Sequence, residues 1–83
     1  MTIQNLVKEL KKLNVDPRYY AYGGELKNNA YNIEKMYNGK FAVYYLERGE
    51  KCGLKVFDKE TDANLELLNS LKFDLEHGLD LTK

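Results

Sequence analysis

Few residues in this chain have the chemistry for catalysis. It contains one cysteine, Cys52, and one histidine, His77. Nucleophilic catalysis needs a Ser or Cys beside a base that a third polar group orients, and these two residues fall at a predicted strand start and helix end. No CxxC, HExxH, GxGxxG or P-loop pattern occurs. We therefore expect no catalytic residue, no metal site and no cofactor, with Cys52 half-buried and His77 exposed.

Two groups of carboxylates are close enough in sequence to be considered for general acid-base catalysis. Glu47 and Glu50 flank a glycine turn, and Asp58, Glu60 and Asp62 precede an apolar helical pattern. Acidic residues are common at such positions because they stabilise turns and helix N-termini. We therefore expect no enzyme, and a small hydrolase remains the third of three hypotheses.

Tyrosine is concentrated in the middle of the chain, and all 7 tyrosines lie between positions 19 and 45. Tyrosine is enriched at protein interfaces because it combines a large rigid area with a hydroxyl group. We predict that Tyr20, Tyr22 and Tyr44 lie on an exposed sheet face and contact a partner. A register shifted by one residue would instead turn them inward. Arg48, beside a turn glycine, is predicted either to pair with a nearby carboxylate or to contact the same partner.

The charges sum to zero but are unevenly distributed. The chain has 13 basic and 13 acidic residues; residues 1–57 carry 10 and 6 of them, and residues 58–83 carry 3 and 7, so the segments are +4 and −4. A nucleic-acid module usually has a basic balance, so no nucleic acid is expected. The acidic segment predicts a surface for a basic protein, with Glu60, Asp62 and Glu66 as contacts.

Periodicity predicts the elements that position these residues. Apolar residues at helical spacing follow Thr2 as N-cap and end near Asn14, and a second such pattern follows Asp58 as N-cap. Asn38-Gly39 predicts a two-residue type I′ turn between two aromatic strands. The predicted helices are 3–13 and 59–76, and the predicted strands are 19–22, 30–37, 40–47 and 53–57.

These elements assemble into one α+β domain over residues 1–83. We expect an antiparallel meander of three or four strands with both helices on one face, since each helix has a single apolar stripe. The chain has no apolar run long enough to span a bilayer and no hydrophobic signal core, so a cytoplasmic protein without membrane contact is expected. We expect a monomer or a weak homodimer.

Several segments together follow a recognisable pattern. Residues 40–49 form an aromatic strand ending in Glu-Arg-Gly, and residues 54–58 form a short strand before an acidic helix start. Residues 23–26 and 29–31, with Ala63 and Leu67-Leu68, continue the pattern. In these segments the chain resembles small immunity proteins of bacterial polymorphic toxin systems. Two positions differ from the pattern: Phe41 stands where Trp is more common, and Asn64 where Cys often occurs.

The resemblance implies a protein that binds one cognate toxin domain, often a nuclease, and occludes its active site. It transfers no site residues. The alternative is a small RNA-binding module, because helix, three strands, helix is also the order of double-stranded RNA-binding domains. Those domains grip phosphates with a basic start to the second helix, whereas residues 58–62 here are acidic.

Overall fold

The computed structural model describes residues 1–83 as two helices packed on a four-stranded sheet. This confirms the predicted α+β class. Most boundaries lie within two residues of the predictions, but the last strand begins at Glu50 and not at residue 53. The elements are α1 (Ile3–Lys12), a 3₁₀ turn (Pro17–Tyr19), β1 (Tyr20–Ala21), β2 (Ala30–Lys35), β3 (Phe41–Glu47), β4 (Glu50–Phe57) and α2 (Glu60–Glu76).

Both helices bury their apolar stripes against the same face of the sheet, as predicted. Leu6 of α1 and Leu67 of α2 are fully buried and pack with Ile33 of β2 and Val43 of β3 in one core cluster. We call this covered side of the sheet the helix-side face and the other the outer face. The predicted cap of α1 is also confirmed, because the Thr2 hydroxyl accepts a hydrogen bond from the Asn5 amide at 3.2 Å.

The sheet order is β1-β2-β3-β4, but the first pair is parallel. The predicted all-antiparallel meander is therefore wrong at β1. A loop over residues 22–29 carries the chain back to the start of β2, and the fully buried side chain of Asn32 fastens it. Asn32 accepts a hydrogen bond from the Lys27 amide at 2.9 Å and donates to the Lys27 carbonyl at 3.0 Å. Sequence periodicity does not record these contacts between loop and strand.

The β2–β3 hairpin is confirmed, but its turn is not the predicted type I′. The loop comprises Tyr37, Asn38 and Gly39, and the Gly39 amide donates to the Met36 carbonyl at 3.0 Å. Within this loop only Gly39 has a positive φ, of 86°. The Asn38 side chain accepts a hydrogen bond from the Lys40 amide at 3.0 Å and so stabilises a longer turn.

The two-residue turn with positive φ at both central positions occurs instead at Arg48-Gly49. Their φ angles are 50° and 79°, and Glu47 pairs with Glu50 across the turn. Gly53 does not begin β4: it lies within the strand at φ 64°, where the β3–β4 register shifts at a bulge. The predicted strand start at residue 53 is therefore wrong, because Gly53 forms a bulge inside a longer strand.

The N-terminus of α2 differs from the prediction. Lys59 is the N-cap and no side chain caps the helix there. Asp58, the predicted cap, lies 3.4 Å from the Lys40 ammonium and is mostly exposed. Asp58 pairs with Lys40 of the neighbouring hairpin and does not cap the helix, and the sequence around Asp58 does not show this contact.

The C-terminal segment is fastened to the end of α1. The Asp16 amide donates to the Leu81 carbonyl at 2.8 Å, and the Lys83 amide donates to the Asn14 carbonyl at 3.1 Å. Asn14 has the left-handed backbone predicted for a helix end, with φ of 55°. The Leu81 side chain packs against the helix-side core, so this segment closes one end of the domain.

Replacing Arg48 with asparagine should stabilise the fold. A left-handed backbone costs an ordinary L-residue about 1–2 kcal/mol, and asparagine tolerates it better. We expect Arg48→Asn to raise the free energy of unfolding by about 0.5–1 kcal/mol, measured by urea denaturation. The control is Arg18→Asn, at the only other arginine. Arg18 has a negative φ, so this variant should not raise the free energy of unfolding. An unchanged Arg48→Asn midpoint would contradict the strained turn.

Candidate partner-binding surface

Tyr44 does not form part of an exposed surface. It points to the outer face as predicted, but it is only 1% exposed and packs with Ala42 and Leu46 in a second small core. Its hydroxyl donates to Glu34 at 2.7 Å, and the Lys51 ammonium lies 5.0 Å from its ring centroid. The strand register was right and the predicted exposure was wrong, because neighbouring side chains cover the ring.

Glu34 joins the outer-face groups into one network. It accepts hydrogen bonds from the Tyr44 hydroxyl and, at 3.1 Å, from the Lys51 ammonium. These two bonds lower the pKa of Glu34 below its ordinary value. Burial, together with the Glu34 carboxylate, raises the pKa of Tyr44. The network therefore fixes β2, β3 and β4 to one another, although Glu34 and Lys51 remain partly exposed.

Tyr20 and Tyr22 lie at the β1 edge of the sheet. Tyr20 is in register with Tyr31 and packs against the helix-side core. Contrary to the prediction, Tyr20 and Tyr22 therefore do not lie on the outer face. Their rings stack with centroids 5.8 Å apart. Tyr22 is 36% exposed, as expected, while Tyr20 is half-buried and burial raises its pKa. The register of β1 causes this change of face, because it sets Tyr20 opposite Tyr31, whose side chain lies on the helix-side face.

Arg48 and the three predicted acidic contacts are spread over different surfaces. Arg48 is an exposed turn residue in none of the ion pairs, so the predicted carboxylate pairing is absent. Glu60 and Asp62 point to nearly opposite sides of α2, whereas Asp62 and Glu66, four residues apart, share one side. Glu66 binds the Lys55 ammonium of β4 at 3.2 Å. Whether these residues contact a partner stays a prediction, but Glu60 lies apart from Asp62 and Glu66.

The structure brings together a site that the sequence did not predict. A pocket of about 330 Å³ opens beside the end of α2, between the sheet and the C-terminal segment. We call it the Asp74 pocket. It is lined by Tyr19, Asn29, Tyr31, Tyr45, Leu71, Asp74, Leu79 and Leu81.

Asp74 is the charged group of this pocket. The Tyr31 hydroxyl donates to Asp74 Oδ2 at 2.8 Å, and Asp74 takes part in none of the ion pairs of the protein. The Tyr31 and Tyr45 rings meet edge to face with centroids 5.1 Å apart. Burial raises the pKa of Tyr31, and the hydrogen bond to Asp74 raises it further. Burial also raises the pKa of Tyr45, with Glu47 and Asp74 adding to the effect.

A second pocket of about 260 Å³ connects this region with the sheet edge. It shares Tyr31 and Tyr45 with the Asp74 pocket and is also lined by Cys52 and Gly53 of β4 and by Glu66 of α2. Glu66 also adds to the raised pKa of Tyr31. The rings of Tyr31 and Tyr45 therefore line one pocket with Asp74 and the other with Glu66, both on α2.

The strand β4 forms a free edge of the sheet. It pairs only with β3, and its residues from Glu50 to Val56 are all exposed. Leu54 and Val56 are 47% and 45% exposed, which is unusual for two apolar residues so close in a strand. We call Glu50–Phe57 the β4 edge. It leaves unpaired backbone donors and acceptors available to an added strand.

A signal for the Asp74 pocket was present in the sequence. Asp74 follows Leu71 by three residues and so continues the apolar stripe of α2 onto a charged residue. Tyr31 and Tyr45 alternate with Asn32 and Tyr44, which is consistent with side chains on the helix-side face. What was missing was the β2–β3 register, which makes these two tyrosines direct partners.

Cys52 and His77, the two residues weighed for catalysis, both lie on the surface. Cys52 is exposed and not half-buried, and the exposed His77 ring stacks on Phe73 with its Nδ1 atom 2.7 Å from the Phe73 carbonyl oxygen. No three His, Cys, Asp or Glu side chains are grouped to hold a metal ion. Neither helix combines the length and hydropathy needed to cross a membrane. Comparisons with family models, curated proteins and solved structures gave no match.

The Glu34 network should make stability depend on pH. A carboxyl whose pKa is lowered by folding stabilises the native state above its unfolded pKa, and this contribution is lost as the pH falls through the folded pKa. We expect Glu34→Gln to be less stable than the wild type at about pH 7, with the difference shrinking below about pH 4.5, measured by urea denaturation.

Glu50→Gln is the matched control, because Glu50 is exposed and makes no ion pair. Its stability should follow the wild type across the same pH range. A constant difference between Glu34→Gln and the wild type at all pH values would contradict the role of the network.

Proposed function

We propose that this chain is an immunity protein that binds a cognate toxin domain, often a nuclease in such systems, in the cytoplasm of the producing cell. It would act by covering the toxin's active site and would perform no chemistry itself. The sequence resemblance of residues 40–49 and 54–58 to such proteins supports the class. The observation that carries the binding role is the exposed β4 edge.

The β4 edge is suited to strand addition by a partner. In this mode, main-chain hydrogen bonds supply affinity and alternate side chains supply specificity. Leu54 and Val56 offer apolar contacts for that specificity, since both are nearly half exposed. The Gly53 bulge and the charges of Lys51 and Lys55 disfavour uncontrolled pairing with other edges, including those of identical chains. These features support a monomer or weak homodimer that is reserved for a complementary partner.

The size of the protein makes such an interface a large part of its surface. The accessible surface is 5497 Å², and a standard interface buries about 800 Å² on each partner. About one seventh of the surface would then be covered. The β4 edge and the adjoining side of α2 at Glu66 are joined by the Lys55 ion pair and together offer one continuous region of this kind.

The alternative, an RNA-binding module, is less well supported. Its element order agrees with this fold, but the first turn of α2 carries Glu60 and Asp62 and lacks basic residues. Carboxylates at that position repel the phosphates that such a module must contact. Salt-sensitive RNA binding by the purified chain would favour this alternative.

Co-expression with the toxin domain encoded beside it tests the proposed function. The wild-type protein should restore colony formation to bacteria that produce the toxin. Leu54→Lys/Val56→Lys should weaken the complex at least about tenfold, because it places two charges where apolar contacts are expected. The affinity can be measured by calorimetry with a catalytically inactive toxin.

The matched control for this variant is Phe73→Lys. Phe73 is 58% exposed on α2, so it is an apolar residue of similar exposure away from the β4 edge. It should retain both rescue and affinity. Failure of the wild type to rescue would contradict the immunity function, whereas equal affinity of the double variant would place the interface on another surface.

A further inference from the structure

We infer that the Asp74 pocket receives a basic side chain of the protein that binds the β4 edge, with arginine as the best fit. This inference rests on the proposed function, because it assigns a contact within the proposed complex. It identifies a cationic contact site that the sequence prediction placed elsewhere on α2, at Glu60, Asp62 and Glu66.

The first reason is the unpaired charge of Asp74. The carboxylate is half-buried, its side chain accepts one hydrogen bond, from Tyr31, and no Lys, Arg or His nitrogen lies within ion-pair distance. Removing a carboxylate from water is costly unless it is paired. A cation from a partner would supply the missing pair when the interface excludes water.

The second reason is the chemistry of the pocket wall. Tyr19, Tyr31 and Tyr45 line it, and the faces of aromatic rings attract cations. Leu71 and Leu79 add apolar surface that suits the hydrocarbon stem of a long basic side chain. A purely apolar side chain would bury Asp74 without a partner, and an acidic one would be repelled by it.

Arginine satisfies these groups better than lysine does. Its planar guanidinium group can stack on a tyrosine ring and donate two parallel hydrogen bonds to a carboxylate. Asp74, Glu47 and Glu66 act on the two central tyrosines and raise their pKa values. The neighbouring cations are engaged elsewhere: Lys55 is bound to Glu66, and Arg18, whose guanidinium lies 5.8 Å from the Tyr19 ring centroid, is bound to Asp16.

The position of the pocket relative to β4 links it to the same partner. Tyr45 is in register with Cys52 of β4, and the second pocket continues from the tyrosine rings to Cys52 and Gly53. A strand added at the β4 edge would lie two strand spacings from Tyr45, about 10 Å. Asp74 bonds to Tyr31 of β2, one strand farther on. The basic side chain would therefore come from a neighbouring segment of the partner that crosses the helix-side face of β4, and not from the added strand itself.

The chemistry of the pocket can be tested on the whole chain without the toxin. We would titrate it with acetyl-Gly-Arg-Gly-amide and follow backbone amide shifts by NMR. The matched probe replaces arginine with citrulline, which has nearly the same shape but no charge. We expect saturable shifts around Tyr31, Tyr45 and Asp74 with the arginine peptide and at least about tenfold weaker binding of the citrulline peptide.

Asp74→Asn tests the residue itself, because asparagine can still accept the hydrogen bond from Tyr31. This variant should bind the arginine peptide at least about tenfold more weakly, whereas Glu76→Gln, an exposed carboxylate on the same helix, should bind as the wild type does. Equal binding of the citrulline peptide, or unchanged binding by Asp74→Asn, would overturn the inference.

The toxin complex provides the second measurement. Asp74→Asn should lower the affinity for inactive toxin and Glu76→Gln should not. If the peptide binds but Asp74→Asn leaves the toxin affinity unchanged, the pocket is not part of the interface and the inference fails while the immunity function stands. If the wild type gives no rescue but the arginine peptide binds through Asp74, the proposed function fails and the cation-binding pocket remains.

Discussion

The packing of both helices on one face of the sheet is the constraint on which the rest of the structure depends. Leu6, Leu67 and Leu71 are fully buried there, and a domain of this size has no second helical layer to cover the other surfaces. The helices cover the central strands and leave the β4 edge open. The same packing sets the rotation of α2, which directs Asp74 toward Tyr31 at the end of the sheet.

The uncovered regions are stabilised by polar side chains in place of a helix. Asn32 is fully buried and holds the loop before β2 through the backbone of Lys27. On the outer face, Glu34 joins Tyr44 of β3 to Lys51 of β4. Buried polar groups that are fully hydrogen-bonded fix one arrangement of the chain, since any other leaves them unpaired. No buried side-chain polar atom lacks a partner here.

The features that suit a protein partner are those that the fold itself does not use. The β4 edge has backbone groups beyond those that pair with β3, and Asp74 has no ion-pair partner. The two are adjacent because Tyr45 of β3 touches the Asp74 pocket and is in register with Cys52 of β4. In the proposed complex, the β4 edge would supply strand pairing and the Asp74 pocket would recognise a cation.

The sequence by itself determined the two helices, the strands and the side of the sheet that the helices cover, because these follow from local apolar periodicity. It also determined that Tyr44 points to the outer face. Only the tertiary structure decided that Tyr44 is buried, that β1 runs parallel to β2, and that Asp74 meets Tyr31. Each of these depends on contacts between residues distant in the sequence, and neither periodicity nor turn propensity encodes which distant side chains will cover, redirect or bind one another.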